Sequence, residues 1–162
     1  MMRLKLGIWY CLSGLIFSLD QLTKYFAEIQ LNAYQPYPVL SVLNLTLAYN
    51  TGAAFSFLSH TGIWHRWFFA SFSFGMSIFF VVWIARLKPK DYLQLTALSL
   101  ILGGTLGNFY DRIVFGQVID FIQVHYKTHY WPVFNLADSA ICLGAMLLFV
   151  GLGKHHPRRQ GI

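Results

Sequence analysis

Of the six acids in this 162-residue chain, two sit where a carboxylate is costly. Asp120 lies in Val118-Ile119-Asp120-Phe121, and Asp138 in Phe134-Asn135-Leu136-Ala137-Asp138. Two carboxyls held close together cannot both ionise easily, so such a pair shares one proton. The ionised member can take a proton from a water that attacks a carbonyl. The protonated member can donate to that carbonyl's oxygen, and the roles reverse as the leaving amine is protonated. The titration then belongs to the pair. Taken singly, Asp120 reads as a loop acid and Asp138 as a helix N-terminal acid favoured by the macrodipole. Those readings leave both apolar settings unexplained. Eighteen residues separate the two, so only the fold can join them.

Further polar residues stand in comparable settings. Asp20 and Lys24 are spaced i, i+4 and share a helix face, as an ion pair closing a helix end would. Asn108, Asp111 and Arg112 share another face, just after Gly103, Gly104 and Gly107. Gly103 and Gly107 form a small-xxx-small pattern that admits a neighbouring helix. Asn50 and Asn135 complete the set. Other catalytic plans find less support. There is no H-E-x-x-H zinc pattern, no G-x-S-x-G nucleophile turn and no phosphate-binding glycine loop. The six histidines are scattered, apart from His155 and His156 in the C-terminal tail. Ser56 and Ser139 are available hydroxyls, but neither lies in a nucleophile motif. Cys11 and Cys142 lie inside apolar runs and read as small hydrophobes.

The elements that must position these groups are read from hydropathy. Only 11% of the chain is charged, whereas a soluble domain carries roughly a quarter. The net charge of +6 is concentrated, with eight of the twelve Lys and Arg in three clusters: Arg3 and Lys5; Arg86, Lys88 and Lys90; Lys154, Arg158 and Arg159. Each cluster ends an apolar run, as loops on the cytoplasmic side of a membrane do. No basic and stacking stripe suggests nucleic acid. A spanning helix needs about 20 mostly apolar residues. Four candidates are predicted, at about 6–26, 62–85, 92–110 and 134–153. The first has a basic start but no small-residue cleavage site after it, and bulky Trp9 and Tyr10 precede Cys11, so it reads as a retained helix.

The fold class expected is therefore mainly α: one polytopic domain over 1–162, with four transmembrane helices and a small extracytoplasmic segment containing β structure. Both termini are placed in the cytoplasm, and 27–61 and 111–133 outside. Trp64, Trp67, Trp83 and Trp131 fall near the predicted helix ends. In the first outer segment Val39 to Leu47 reads as a strand, with Tyr49 to Leu58 as its partner and Gly52 near a turn. Amphipathic structure lying on the membrane is the alternative there. The topology rests on the basic clusters alone, yet it sends Asp20, Lys24, Asn50, Asn108, Asp111, Arg112, Asp120, Asn135 and Asp138 to the same outer face.

These motifs together resemble the bacterial lipoprotein signal peptidase, or signal peptidase II, family. Asp20-Gln21-Leu22-Thr23-Lys24 is similar to the family's D-x-x-x-K, and Asn50-Thr51-Gly52-Ala53-Ala54-Phe55 to its N-T-G-A-x-F. Gly103 to Arg112 resembles its G-G-x-x-G-N-x-x-D-R. The segments around Asp120 and Asp138 resemble its two catalytic motifs. All five occur in order over nearly the whole chain. The resemblance implies an aspartic endopeptidase of the bacterial inner membrane that cuts diacylglyceryl prolipoproteins just before the lipidated cysteine. Asp120 and Asp138 would be its catalytic dyad. Asp20, Lys24, Asn50, Gly52, Asn108, Arg112 and Asn135 would bind substrate or support the dyad. A small sheet around 37–58 would cradle the substrate. No metal or organic cofactor is implied, membrane lipid is the surrounding partner, and one chain containing the whole site suggests a monomer. Residues 122–133 and the C-terminal tail match no motif.

Two other classes compete. A small transporter or channel would use intramembrane acids to carry ions, but would keep them near the midplane. An accessory protein without activity would merely pair its acids with Lys24 and Arg112. The second leaves Asn50, Asn108 and Asn135 without a reason to join them.

Overall fold

The computed structural model describes residues 2–52 and 64–153. Their order is α1 (Met2–Gln30), β1 (Tyr37–Leu40), β2 (Leu43–Asn50), α2 (Trp64–Arg86), α3 (Tyr92–Val114), β3 (Val118–Tyr126), β4 (His129–Tyr130) and α4 (Leu136–Gly153). The expected mainly helical architecture with a small sheet is present. Ala53 to Phe55 of the asparagine motif, Ser56, the start of the second predicted helix at Gly62, and the tail with Lys154, His155, His156, Arg158 and Arg159 lie outside the described residues.

Helix α3 is central and packs against the other three helices. Its glycines set how closely they approach. A Cβ on Gly103 would meet the Ser13 carbonyl of α1 at 2.6 Å, and one on Gly104 would collide with the Ala137 carbonyl of α4. The predicted close approach at Gly103 and Gly107 is therefore made by α1. At the end remote from the acids, Phe80 and Ile84 of α2 pack against Leu95, Leu98, Ile101 and Leu102 of α3 in an apolar core.

Large apolar side chains also face outward. Ile8, Leu15, Leu19, Leu22, Phe26 and Ile29 of α1 are exposed, as are Phe68, Phe72, Ile78, Phe79 and Val82 of α2 and Leu143, Met146, Phe149 and Val150 of α4. By length and composition one described helix, Arg66–Arg86, is apolar enough to cross a membrane, and only 22% of its apolar window is buried. Helices α1 and α3 carry inward polar groups that lower their average hydropathy. On α1 these leave the outward face apolar.

The sheet is antiparallel in the order β1-β2-β3-β4. The strand expected over Val39 to Leu47 is instead a hairpin, broken at the turn formed by Ser41 and Val42. Tyr49 and Asn50 extend β2 rather than begin its partner. That partner is β3, from the second outer segment. Ala27 of α1 packs under Leu47, Ile119 and Phe121, anchoring the sheet on the end of α1.

One irregularity in this sheet matters for the polar residues. Leu45 lies opposite Ile122 but Ala48 lies opposite Asp120, so β2 carries one extra residue between them. Residues directly opposite share a face, and a one-residue slip moves side chains to the other face. The bulge thus puts Asn50, two residues beyond Ala48, on the face of Asp120.

Helix ends also differ from the expected bounds. α3 runs one turn further, to Val114, because Asp111 and Arg112 turn inward onto buried partners. α4 begins at Leu136 rather than 134, because Phe134 is extended and bridged to Ile122 of β3. The Ile122 N–H donates to the Phe134 carbonyl at 2.8 Å, and the Phe134 N–H returns a bond to Ile122 at 3.0 Å.

Candidate active site

That bridge brings Asp120 and Asp138 together. The chain leaves β3, turns through β4, and comes back alongside β3 just before α4. Asn135 is the N-cap of α4: its Oδ1 accepts the Asp138 N–H at 2.8 Å, and the Asp138 Oδ2 accepts the Asn135 N–H at 3.4 Å. This reciprocal capping arrangement satisfies helix N-terminal donors that would otherwise be orphaned. It also fixes the Asp138 carboxyl at the positive end of the helix.

Asn135 reaches the other acid as well. Its Nδ2 donates to Asp120 Oδ1 at 2.7 Å, to the Ile119 carbonyl at 3.2 Å and to Asn108 Oδ1 at 3.1 Å. Asn108 in turn donates from Nδ2 to Asp138 Oδ1 at 2.8 Å. On the sheet side Asn50 Nδ2 donates to Asp120 Oδ2 at 3.2 Å, while its Oδ1 accepts the Gly52 N–H at 3.0 Å. Each acid is thus held by amides from separate elements. Asp120 is 2% exposed and Asn135 is fully buried.

A second cluster lies beneath. Lys24 Nζ is 2.7 Å from both Asp20 Oδ2 and Asp111 Oδ2, and donates to Asn108 Oδ1 at 3.1 Å. All three charged residues are within 1% of complete burial. Buried ion pairs persist only when their remaining bonds are satisfied, and here they are. Asp20 Oδ1 accepts the Ala137 N–H of α4 at 2.9 Å, and Asp111 accepts the Ile119 N–H of β3 at 3.2 Å. The triad therefore clamps the residues directly preceding Asp138 and Asp120. The predicted Asp20–Lys24 pair exists, but with Asp111 as a second anion.

All nine residues singled out from sequence fall in this one network. Arg112 joins through its Nη1 and Nη2, which donate to the Asn108 and Gly52 carbonyls at 3.2 and 3.4 Å, and its guanidinium lies over the Phe69 ring. Among the described residues neither Asp120 nor Asp138 forms a salt bridge. The pairing of all the acids with Lys24 and Arg112, expected of an inactive accessory protein, is therefore not what is found.

Burial, and then the charge of Asp138, push the Asp120 carboxyl up to about 7, against the lowering effect of its amide bonds and of Lys24. A carboxyl that keeps its proton near neutral pH can act as an acid there. Beside the pair opens a groove of about 480 Å³, with Asn50 and Asp138 on its wall and Trp131, Pro132, Val133, Phe134, Ile141 and Cys142 making it apolar. Residues 131–133, which matched no motif, thus form part of the wall. Among the described residues no group of three or more His, Cys, Asp and Glu side chains is arranged to hold a metal ion.

A family model described as Signal peptidase (SPase) II matches residues 12–153. The chain belongs to the signal peptidase II family. A protein named lipoprotein signal peptidase from Teredinibacter turnerae is 51% identical over 140 residues, 86% of this chain and 83% of that one. One of the same name from Acinetobacter baumannii is 51% identical over 156 residues, covering 94% and 89% of the two chains. A solved structure described as a bacterial membrane enzyme superposes with a TM-score of 0.82 at 29% identity, covering 96% of this chain and 94% of the other. The resemblance carried by the sequence motifs is thereby established as membership of the signal peptidase II family.

Two residues in this signal peptidase II chain escaped the sequence reading of the site, and a third was singled out without a role. Asp111 had been placed on the face of Asn108 and Arg112 but given no role. Gln21 Nε2 donates to Asp111 Oδ1 at 2.9 Å and to Asp20 Oδ2 at 3.2 Å, and reaches the Gly107 carbonyl at 3.3 Å. Arg66, in the first turn of α2, donates from Nε to the Arg112 carbonyl at 2.9 Å and from Nη2 to the Ile113 carbonyl. It thereby caps the C-terminal end of α3, beside Gly116 with its φ of +79°. Acid count and neighbour spacing hinted at Asp111; nothing local pointed to Arg66.

Proposed function

We propose that this protein is an aspartic endopeptidase that removes the signal peptide from diacylglyceryl-modified prolipoproteins, cutting just before the lipidated cysteine. The observation that carries this reading is the contrast among the four clustered acids: Lys24 binds Asp20 and Asp111 at 2.7 Å, while Asp120 and Asp138 are held by asparagine amides. A pair arranged this way keeps a titratable proton. Family membership and the names of its relatives support the same substrate class.

In the mechanism Asp120 carries the proton at rest, in keeping with a carboxyl pushed up to about 7. Asp138 is the base, oriented by the Asn108 amide at the N-terminus of α4. Asp138 takes a proton from the attacking water as Asp120 donates to the scissile carbonyl oxygen. Collapse of the tetrahedral intermediate passes the proton on Asp138 to the leaving amine, and Asp120 recovers its own. Asn135, bonded to Asp120 and capping the helix of Asp138, keeps the pair in register. Arg112 donates to the Gly52 carbonyl and so ties the end of α3 to the segment after β2.

The chain acts as a monomer with four spans in the bacterial inner membrane, its termini cytoplasmic and its acids at the periplasmic face. The outward apolar faces of α1, α2 and α4 support this, since a soluble protein would pay heavily to hydrate them. A substrate made of a signal helix and two acyl chains lies in the same bilayer. The apolar groove beside Asp138 gives it a lateral seat, each buried methylene contributing about 0.8 kcal/mol.

The test is cleavage of a diacylglyceryl prolipoprotein by purified protein in lipid, with Asp120→Asn and Asp138→Asn as variants checked for folding. Wild type should cut before the modified cysteine and both variants should not. Normal cleavage by the folded variants would make the acids structural. An unmodified substrate run alongside should be cut far more slowly.

A further inference from the structure

At the end of α2 and α3 remote from the acids, residues 87–91 turn over a second cavity, of about 430 Å³. Arg86, Lys88, Lys90, Asp91 and Gln94 line it. The Asp91 Oδ2 accepts the Lys88 backbone N–H at 3.1 Å, so this acid organises the turn. Three cations against one acid leave the cavity with a net charge of +2.

Gln94 separates this cavity from a merely basic loop. Its residue is 8% exposed, yet its side chain makes no hydrogen bond to the described residues. The side chain lines a cavity rimmed by cations. An anion bearing several acceptor oxygens would satisfy all four residues together. The surroundings indicate where that anion comes from. Trp9 and Tyr92 pair their rings at 6.3 Å beside the turn, and Tyr92 is 66% exposed. Such aromatics mark the headgroup level of a bilayer. The outward side chains Ile78, Phe79, Val81 and Val82 of α2 are apolar and lead to this end.

We propose that the cavity binds the phosphate headgroup of an anionic phospholipid. Arg86, Lys88 and Lys90 neutralise the phosphodiester, the Gln94 amide donates to one of its oxygens, and the acyl chains run along α2. The proposal rests on the reading of α2 as a membrane span and is independent of the peptidase chemistry. Basic pockets at the cytoplasmic ends of spanning helices favour such lipids, each Lys or Arg adding to the attraction.

The experiment uses the delipidated full chain in a neutral detergent, with bound lipid counted by native mass spectrometry as phosphatidylglycerol or phosphatidylcholine is added. Wild type should favour phosphatidylglycerol by roughly tenfold or more. The triple variant Arg86→Gln, Lys88→Gln, Lys90→Gln should lose that preference, and Gln94→Leu should lose part of it. Arg3→Gln with Lys5→Gln removes the same kind of charge from the start of α1 and should keep it. The proposal is overturned if the two lipids bind wild type equally, or if the Arg3 and Lys5 variant loses as much as the triple variant. It is also overturned if inorganic phosphate at matched concentration displaces the lipid, since the site would then take free phosphate. Wild type that stays dispersed without detergent would defeat the spanning reading by itself. Prolipoprotein cleavage in the same samples reports separately on the peptidase reading.

Discussion

Asp20 and Asp111 are buried as deeply as Asp120, and each accepts a backbone N–H next to the reactive pair, from Ala137 and Ile119 respectively. The difference is the partner. The first two grip an ammonium at 2.7 Å each, whereas Asp120 and Asp138 receive neutral amide donors. A carboxylate against a lysine is held by an opposite charge and contributes structure. A carboxyl against an asparagine amide is oriented but still able to exchange its proton. The two clusters are joined at Asn108, whose Oδ1 accepts from Lys24 while its Nδ2 donates to Asp138. Charge is thus concentrated in one cluster so that it can remain adjustable in the other.

The sharpest way to break this division is Lys24→Met. It leaves two buried carboxylates without their cation, and removing one partner of a buried ion pair costs about 3–5 kcal/mol. The expected result is a large fall in thermal or denaturant stability in detergent, with activity lost because the protein unfolds. A stable but inactive Lys24→Met protein would mean that the lysine belongs to the chemistry instead.

Asp120→Asn should do the opposite. Activity should fall by about 10²–10⁴-fold, the usual reach of general acid–base catalysis, while stability near neutral pH holds or rises. The sign follows from the raised carboxyl. Asp120 keeps its proton to about pH 7 when folded but loses it near pH 4 when unfolded. The folded chain therefore binds more protons across that window. This contribution is full below about pH 4 and is lost as pH rises through about 7. Wild-type stability should thus decline from pH 4 to 7 relative to the Asn variant, by a few kcal/mol at one pH unit per 1.36 kcal/mol. Parallel stability curves for the two proteins would remove the physical basis for naming Asp120 the resting acid.

The same division explains what could be read from sequence. The acids, asparagines and glycines were legible because polar side chains among apolar ones have few explanations, and their spacing assigned them to faces. The clustering of all nine at one end followed from where the basic loops fell. The sheet was less legible. Short apolar runs do not distinguish one strand from a hairpin, and the pairing of β2 with β3 joins segments about 70 residues apart. The bulge that turns Asn50 toward Asp120 has no local signature. Arg66 was invisible for a similar reason, since its partners are backbone carbonyls of another helix. By length and composition α1 and α3 do not pass as apolar spans, because the polar groups they send inward are averaged with their apolar residues.

Within the ion-paired cluster, Gln21→Leu is a milder perturbation than loss of Lys24. The glutamine supplies one donor group to Asp111 at 2.9 Å and to Asp20 at 3.2 Å, and hydrogen bonds to charged groups are worth about 1.5–3 kcal/mol. Stability should drop by about 2 kcal/mol in a denaturant titration, with the cleavage rate of the folded fraction nearly unchanged. A rate loss exceeding the stability loss would show that the triad governs the reactive pair more directly than its geometry suggests.

Arg66 gives the smallest effect on stability and the most informative one on the link between clusters. It touches neither pair of acids. It binds the last carbonyls of α3, where cations are favoured by about 0.3–1 kcal/mol, and flanks the Gly116 turn that launches β3. Arg66→Gln should therefore lower stability by only about 1 kcal/mol. The turn sets the start of β3, and with it the reach of Asp120 toward Asn135, so kcat should fall several-fold while KM for the prolipoprotein changes little. Arg66→Lys keeps the charge at the helix end but cannot span both carbonyls as the guanidinium does, and should recover stability more fully than kcat. If the lysine variant restores both equally, the residue serves the helix end alone. If KM rises instead, Arg66 acts on substrate access through the start of α2 and not on the placing of Asp120.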